Sequence, residues 1–251
     1  MSMILKIDAG AKATIFTQVL ACIQQLNSEI VIRLEDDSLY IQGMDNSHVS
    51  MYEMRLLKHW FQLYKVESSN TYGFSCDVLN KILSKRTEKQ DIHIDFSDET
   101  KIKIILSDEI SKKTYIISSM DIDIETLNIP EQEYDIDIGI SSKLYKDTID
   151  ELSTFFDDMT VKCDENTVIF GGKNDNVESS IEIDTEHMIS YEYTDDMQMT
   201  FSIRYLKIVS LLSKICKEML LHLHNEYPLR TDFNFDDEHR FSFYLAPKID
   251  D

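Results

Sequence analysis

Met3–Gly43 reads MILKIDAGAKATIFTQVLACIQQLNSEIVIRLEDDSLYIQG, and about 129 positions later Tyr134–Gly172 reads YDIDIGISSKLYKDTIDELSTFFDDMTVKCDENTVIFGG. Each stretch gives a strand, a helix, a strand, an acidic turn, a second strand and a glycine. In the first these are Met3–Asp8, Ala11–Leu26, Glu29–Leu34, Glu35-Asp36-Asp37 and Leu39–Gln42, then Gly43; in the second, Tyr134–Ile140, Ser142–Phe156, Met159–Cys163, Asp164-Glu165-Asn166 and Thr167–Phe170, then Gly171-Gly172. Ile15, Phe16, Val19, Leu20, Ile23 and Leu26 make one apolar stripe at helical spacing. The matches Ile15/Leu144, Phe16/Tyr145, Ile32/Val161 and Gly43/Gly172 mark a duplication, the first thing to seek in a chain of this length.

Working outward, Phe74-Ser75 with Leu79 and Ile82 recurs as Phe201-Ser202 with Leu206 and Val209, 127 positions on. Strict alternation at Ile92/Ile94/Phe96 and Ile102/Ile104/Leu106 predicts strands. The expected architecture is therefore α+β, two homologous domains in tandem, each with two helices among many strands. The domains are placed at residues 1–118 and 134–251, with a connector over 119–133. Pro130 and the acid/isoleucine alternation Asp121-Ile122-Asp123-Ile124 suit an extended surface segment, because proline removes a ladder donor.

Composition narrows the function. Of 251 residues 43% are hydrophobic, with only 6 glycines and 3 prolines, so the chain can bury one large core or two ordinary ones. The longest apolar runs, Ile30–Ile32 and Met219–Leu221, are far shorter than a membrane span. Met1–Ile7 shows no basic segment leading into an apolar one, so no secretory signal is expected. Cys22, Cys76, Cys163 and Cys216 are widely spaced and read as reduced core thiols. A formal charge of −21 argues against general phosphate binding, but a protein that surrounds DNA needs only its inner face basic.

No catalytic constellation stands out. Gly171-Gly172-Lys173 lacks the spacer and hydroxyl of a phosphate loop and reads as a turn after a strand. Asp45, Ser47 and His48 are too close in sequence to form a triad. The pairs Asp121/Asp123 and Asp135/Asp137 are candidate magnesium ligands, or one face of a solvated strand. Cys216, His222 and His224 lack the paired spacing of a zinc site. No cofactor, metal or catalytic residue is assigned.

Four stretches carry a resemblance: Gln42-Gly-Met-Asp-Asn-Ser-His-Val-Ser50, Leu127-Asn-Ile-Pro-Glu-Gln-Glu-Tyr134, Phe201-Ser-Ile-Arg-Tyr-Leu206 and Phe243-Tyr-Leu-Ala-Pro-Lys-Ile-Asp250. In order and spacing they resemble the proliferating cell nuclear antigen (PCNA) family of DNA sliding clamps. The resemblance implies a ring-shaped homotrimer with its helices lining the pore and its antiparallel sheets outside. It implies a processivity factor rather than an enzyme, encircling double-stranded DNA topologically and without sequence preference. No membrane association is expected. The implied partners are DNA polymerase, clamp loader, flap endonuclease and ligase-type proteins carrying PIP-box peptides. The implied location is the nucleus, or a cytoplasmic replication factory if the source is viral. Competing readings are a subunit of a heterotrimeric checkpoint clamp and an acidic metal-dependent nuclease.

Carried onto this chain, the DNA-facing positions are Lys12, Lys81, Lys85, Arg86, Lys143, Lys146, Arg204, Lys207 and Lys214. The peptide pocket is expected from Met44, His48, Val49, Met51, Leu127, Ile129, Pro130, Pro228, Tyr244, Leu245, Ala246 and Pro247. The subunit interface is expected along Lys112–Ile117 and Val177–Ile183, with Tyr115, Ile117, Ile181 and Ile183 as the apolar flank. Two departures are visible. Glu165 stands where the family carries the lysine modified by ubiquitin-like proteins, with Lys162 on the strand nearby. Asp150 stands where the family usually places a DNA-facing arginine, and Thr154 replaces another commonly basic position.

Overall fold

The computed structural model describes residues 3–98, 100–122, 127–130 and 132–249. The chain forms two compact units. The first comprises residues 1–46, 53–127 and 235–241; the second comprises 47–52, 128–234 and 242–251. Asp123, Ile124, Glu131 and Asp250, each part of a motif named above, lie outside the described residues.

The first unit is built from β1 (Ile4–Ile7), α1 (Ala11–Leu26), β2 (Glu29–Leu34), β3 (Ser38–Met44), most of β4 (Ser50–Leu57), β5 (Leu63–Lys65), β6 (Asn70–Ser75), α2 (Cys76–Leu83), β7 (Asp91–Asp95), β8 (Lys101–Ser107) and β9 (Lys112–Ser118). One sheet has the order β5-β1-β7-β8-β9; β4, β3, β2 and β6 lie side by side in another. Along β8 the side chains of Ile102, Ile104 and Leu106 are buried, as alternation requires. On α1 the buried set is Ala13, Phe16, Val19, Leu20, Cys22, Ile23 and Leu26, while Ile15 is only half-buried. Asn80 on α2 donates to Gln24 on α1 at 3.2 Å, tying the helix pair together. Ser75 caps α2 by accepting from the Val78 amide.

The second unit repeats the plan with β10 (Ile136–Ser141), α3 (Ser142–Leu152), β11 (Asp158–Cys163), β12 (Thr167–Lys173), β13 (Glu178–Asp184), β14 (Ser190–Tyr193), β15 (Met197–Ser202), α4 (Ile203–Ser210), β16 (Glu218–Leu223), β17 (Leu229–Asn234) and β18 (Arg240–Leu245). Its strands are ordered β13-β12-β11-β15 in one sheet and β14-β10-β16-β17-β18 in the other. Ser141 caps α3 as Ser75 caps α2.

The structure corrects two expectations. The third helix ends at Leu152 rather than Phe156, its last carbonyls taken up by a tight turn through Ser153–Phe155. Gly171-Gly172-Lys173 is not a turn: it continues β12, paired with Ser180, Ser179 and Glu178 of β13. Glycine is needed there because the Phe156 ring lies where a Gly172 Cβ would sit.

The duplication extends to the segments that leave the two domains. In the first unit the segment leaving β9 bridges β6 at Gly73↔Met120, with the Met120 amide donating to the Gly73 carbonyl. In the second, the Lys248 amide donates to Thr200 of β15, the position 127 residues after Gly73. A Cβ at Gly73 would strike the Met120 carbonyl and the Ile122 side chain, so a bare backbone lets the connector lie close.

Candidate nucleic-acid interface and partner pocket

The lysines and arginines expected to face DNA differ in what already holds them. Lys12, on α1, donates to the Trp60 carbonyl at 2.6 Å and lies over that indole ring. The Arg86 guanidinium is wrapped by its own loop, donating to the carbonyls of Thr87, Glu88 and Gln90 and to Thr14 Oγ1 on α1. Partial burial lowers its pKa, as expected for a cation taken from water. On α2, Lys81 pairs with Asp77 at 2.7 Å, and on α3 Lys143 pairs with Asp147 at 3.9 Å and Lys146 with Asp150, all one helical turn apart. Lys207 on α4 donates to Ser153 Oγ at 3.0 Å, and Arg204 lies beside the Tyr205 ring. Lys85, after α2, and Lys214, on the 3₁₀ turn Leu211–Lys214 after α4, are exposed and have no ion pair among the described residues. Positive charge is thus least compensated after α2 and around α4, and most compensated on α3.

Of the pocket positions, all but Met44 and Leu127 belong to the second unit. In the first unit Gln42, on β3, grips the connector with both ends of its amide. Its Nε2 donates to the Leu127 carbonyl at 2.8 Å and its Oε1 accepts from the Leu127 amide at 2.9 Å. Gln42 begins the Gln42–Ser50 motif but is not one of the expected pocket residues; the sequence signal for it is a polar residue among apolar strand neighbours. In the second unit His48 holds φ 58°, a left-handed conformation uncommon outside glycine. His48, Val49, Pro130 and Pro228 are exposed, Met51, Ile129, Ala246 and Pro247 half-buried, and Tyr244 mostly buried. Leu245 is fully buried and serves the core. The Ala246 amide donates to the Val49 carbonyl at 2.9 Å, joining the terminal segment to the loop after β3.

The expected interface segments are both sheet edges: β9 ends one sheet of the first unit and β13 ends one of the second. Tyr115, Ile117, Ile181 and Ile183 are half-buried on them. Ile116, 63% exposed, and Ile110, 95% exposed before β9, are further apolar side chains on that edge that alternation had not singled out.

The remaining clusters have structural partners. Asp137 meets His222 at 2.5 Å and Asp135 meets His224 at 3.6 Å, so the two acids serve different histidines. Cys216 Sγ donates to the Leu212 carbonyl. All four thiols are buried, and burial pushes each up to about 12. Among the described residues, the ligating side chains near enough to share an ion are Asp184, Glu186 and His187, all exposed. Glu165 lies in the turn between β11 and β12, and Lys162 is exposed on β11.

Comparison with known proteins matches the duplication. The PCNA N-terminal domain model matches residues 7–131 and the PCNA C-terminal domain model matches residues 128–248. The chain belongs to the proliferating cell nuclear antigen family. Its function is that of a DNA sliding clamp. A DNA polymerase sliding clamp 1 from Sulfolobus acidocaldarius is 27% identical over 226 residues, covering 88% of this chain and 90% of the relative. The proliferating cell nuclear antigen of Caenorhabditis elegans is 25% identical over 253 residues, covering 96% of each. Two crystal structures share the fold. The Entamoeba histolytica PCNA superposes with a TM-score of 0.91 at 22% identity, covering 99% of this chain and 100% of that one. The PCNA2–PCNA3 complex of Sulfolobus tokodaii superposes with a TM-score of 0.87 at 24% identity, covering 98% and 99%. PCNA domains thus account for both copies of the repeat.

Proposed function

We propose that this clamp is a closed homotrimer that encircles duplex DNA, with its helices toward the phosphates and β9 of each subunit paired with β13 of the next. The observation that carries the reading is that a single chain bears both complementary edges. β9 presents Lys112, Lys113 being folded onto the Lys85 carbonyl at 2.6 Å, and β13 presents Glu182 and Asp184, Glu178 being paired with Lys173 at 2.8 Å; each edge also has an apolar strip of half-buried side chains. A head-to-tail contact between unlike edges of identical subunits closes into a ring when the rotation allows it, and it covers edges that would otherwise invite aggregation. Because the α3 lysines are paired with their own acids, DNA is held chiefly by topology, with direct affinity concentrated just after α2 and around α4.

On this reading the chain has no catalytic role. It tethers polymerase, clamp loader, flap endonuclease and ligase-type partners through PIP-box peptides, of the form Gln-x-x-aliphatic-x-x-aromatic-aromatic, lodged beside Ile129. It acts in the nucleus or a cytoplasmic replication factory. The test is retention on nicked circular DNA after loading by a clamp loader. The expected result is stable retention that is lost when the circle is cut. Equal retention on linear and circular DNA, or Mg²⁺-dependent cleavage of the DNA, would contradict it.

A further inference from the structure

Across one face of the second unit's sheet runs a row of charged side chains in register: Glu192 on β14, Asp137 on β10, His222 on β16 and Arg230 on β17. His222 Nδ1 meets Asp137 Oδ1 at 2.5 Å, and Nε2, buried and without a hydrogen bond among the described residues, faces Asp232 Oδ2 at the ion-pair distance of 3.5 Å. Arg230 donates from Nε and Nη2 to the two oxygens of Asp232, at 2.9 and 2.8 Å. The row touches the end of the connector and one pocket residue. The ring of Tyr134, where the connector ends, lies 5.3 Å from the His222 ring, and the Arg230 guanidinium lies 5.9 Å from the ring of Tyr244.

We propose that His222 is a proton-dependent positioning residue for the partner pocket: protonated, it bridges Asp137 and Asp232 and holds the connector's end and Tyr244 in the binding arrangement, and deprotonation releases them. This rests on the pocket reading above and goes beyond it by naming a control of its affinity. A neutral imidazole has one N–H and can satisfy only one of the two carboxylates, whereas the imidazolium donates to both. Loss of the proton removes the imidazolium from the groups that serve Asp232, Arg230 and Ser242 among them, and so changes the charge that holds the guanidinium beside Tyr244. It also removes the imidazolium charge beside the Tyr134 ring.

Every group facing the site bears on the sign. From β10 and β14 come Asp137 and Glu192; from β17, Asp232 and the opposing Arg230; from β18, Ser242 and Tyr244; from the connector's end, Tyr134. Asp135, His224 and Tyr227 adjoin it, since His224 stacks on Tyr227 and the Tyr227 ring packs edge-on against Tyr134 at 6.2 Å. Burial lowers the His222 pKa, but the Asp232 carboxylate facing Nε2 and then the Asp137 carboxylate at Nδ1 outweigh it, and the net direction is upward. The protonated state therefore persists at and above the ordinary imidazole value and is lost as pH rises further.

The test measures binding of a PIP-box peptide to the intact protein by fluorescence anisotropy between pH 6 and 9, alongside NMR titration of the histidine ring nitrogens. The expected result is an affinity that falls by roughly threefold to tenfold across that range, in step with the His222 signal, since tenfold corresponds to one unit of pKa difference between bound and free states. His222→Gln should bind at the weak, high-pH level throughout. Tight binding that does not change with pH while His222 titrates would overturn this inference and leave the pocket intact. No binding at any pH would overturn both.

Discussion

Lys85 and Arg86 are neighbours with different work. Arg86 closes the loop after α2 by donating to three carbonyls and a threonine, whereas the Lys85 side chain extends into solvent. Arg86→Ala removes donors from partly buried carbonyls and is expected to lower the thermal midpoint, at a cost of roughly 1–3 kcal/mol. Lys85→Ala should leave the midpoint unchanged and reduce the salt dependence of DNA binding by about one unit of slope. If Arg86→Ala melts like the parent and Lys85→Ala does not, the two roles are reversed. Gly172→Ala provides a second residue-scale check: its Cβ meets the Phe156 ring, and overpacking of this kind costs about 1–3 kcal/mol in a chemical-denaturation series. Asp232 gives a third. Burial raises its pKa, but His222 and Arg230 outweigh that and hold it at about 2. Because the folded value lies below the unfolded one, its contribution is present above about pH 4 and is lost as pH falls toward 2, on the order of 2 kcal/mol. Asp232→Asn should remove that segment of the acid-unfolding curve while lowering stability at neutral pH.

At the level of elements, the two-fold repeat was legible because periodicity, acidic turns and the Phe-Ser entry to the second helix recur at a fixed spacing. Less legible were ends and exceptions. The Gly171-Gly172 pair reads as a turn by composition, yet here small residues make room for an aromatic ring against a strand. Gln42 reads as an ordinary strand position, but its amide replaces a strand partner for the connector. The row through His222 was visible only as scattered histidines and acids, because cross-strand register, not sequence spacing, brings them together. For α3 the sequence already placed acids beside lysines, and the structure pairs them. Asp150→Arg is therefore expected to strengthen direct DNA binding at low salt and steepen its salt dependence, whereas unchanged affinity would show that α3 does not face the duplex. Ile129→Ala should weaken peptide binding by about 2 kcal/mol with the assembly intact.

At the scale of the whole molecule, a net charge of −21 and a DNA-encircling function are compatible only if basic and acidic surfaces are segregated. On the proposed pairing, Lys112 on β9 and Glu182 and Asp184 on β13 would make each edge a poor partner for itself and a good one for the other. Assembly would then weaken as salt screens those charges, while the apolar strips formed by Tyr115, Ile117, Ile181 and Ile183 persist. The most direct measurement is solution mass by multi-angle light scattering at micromolar concentration in near-physiological salt, for the parent and for Ile181→Asp. The expected result is three times the chain mass for the parent and the single-chain mass for the variant; a monomeric parent, or a variant that stays trimeric, would contradict the edge-paired ring.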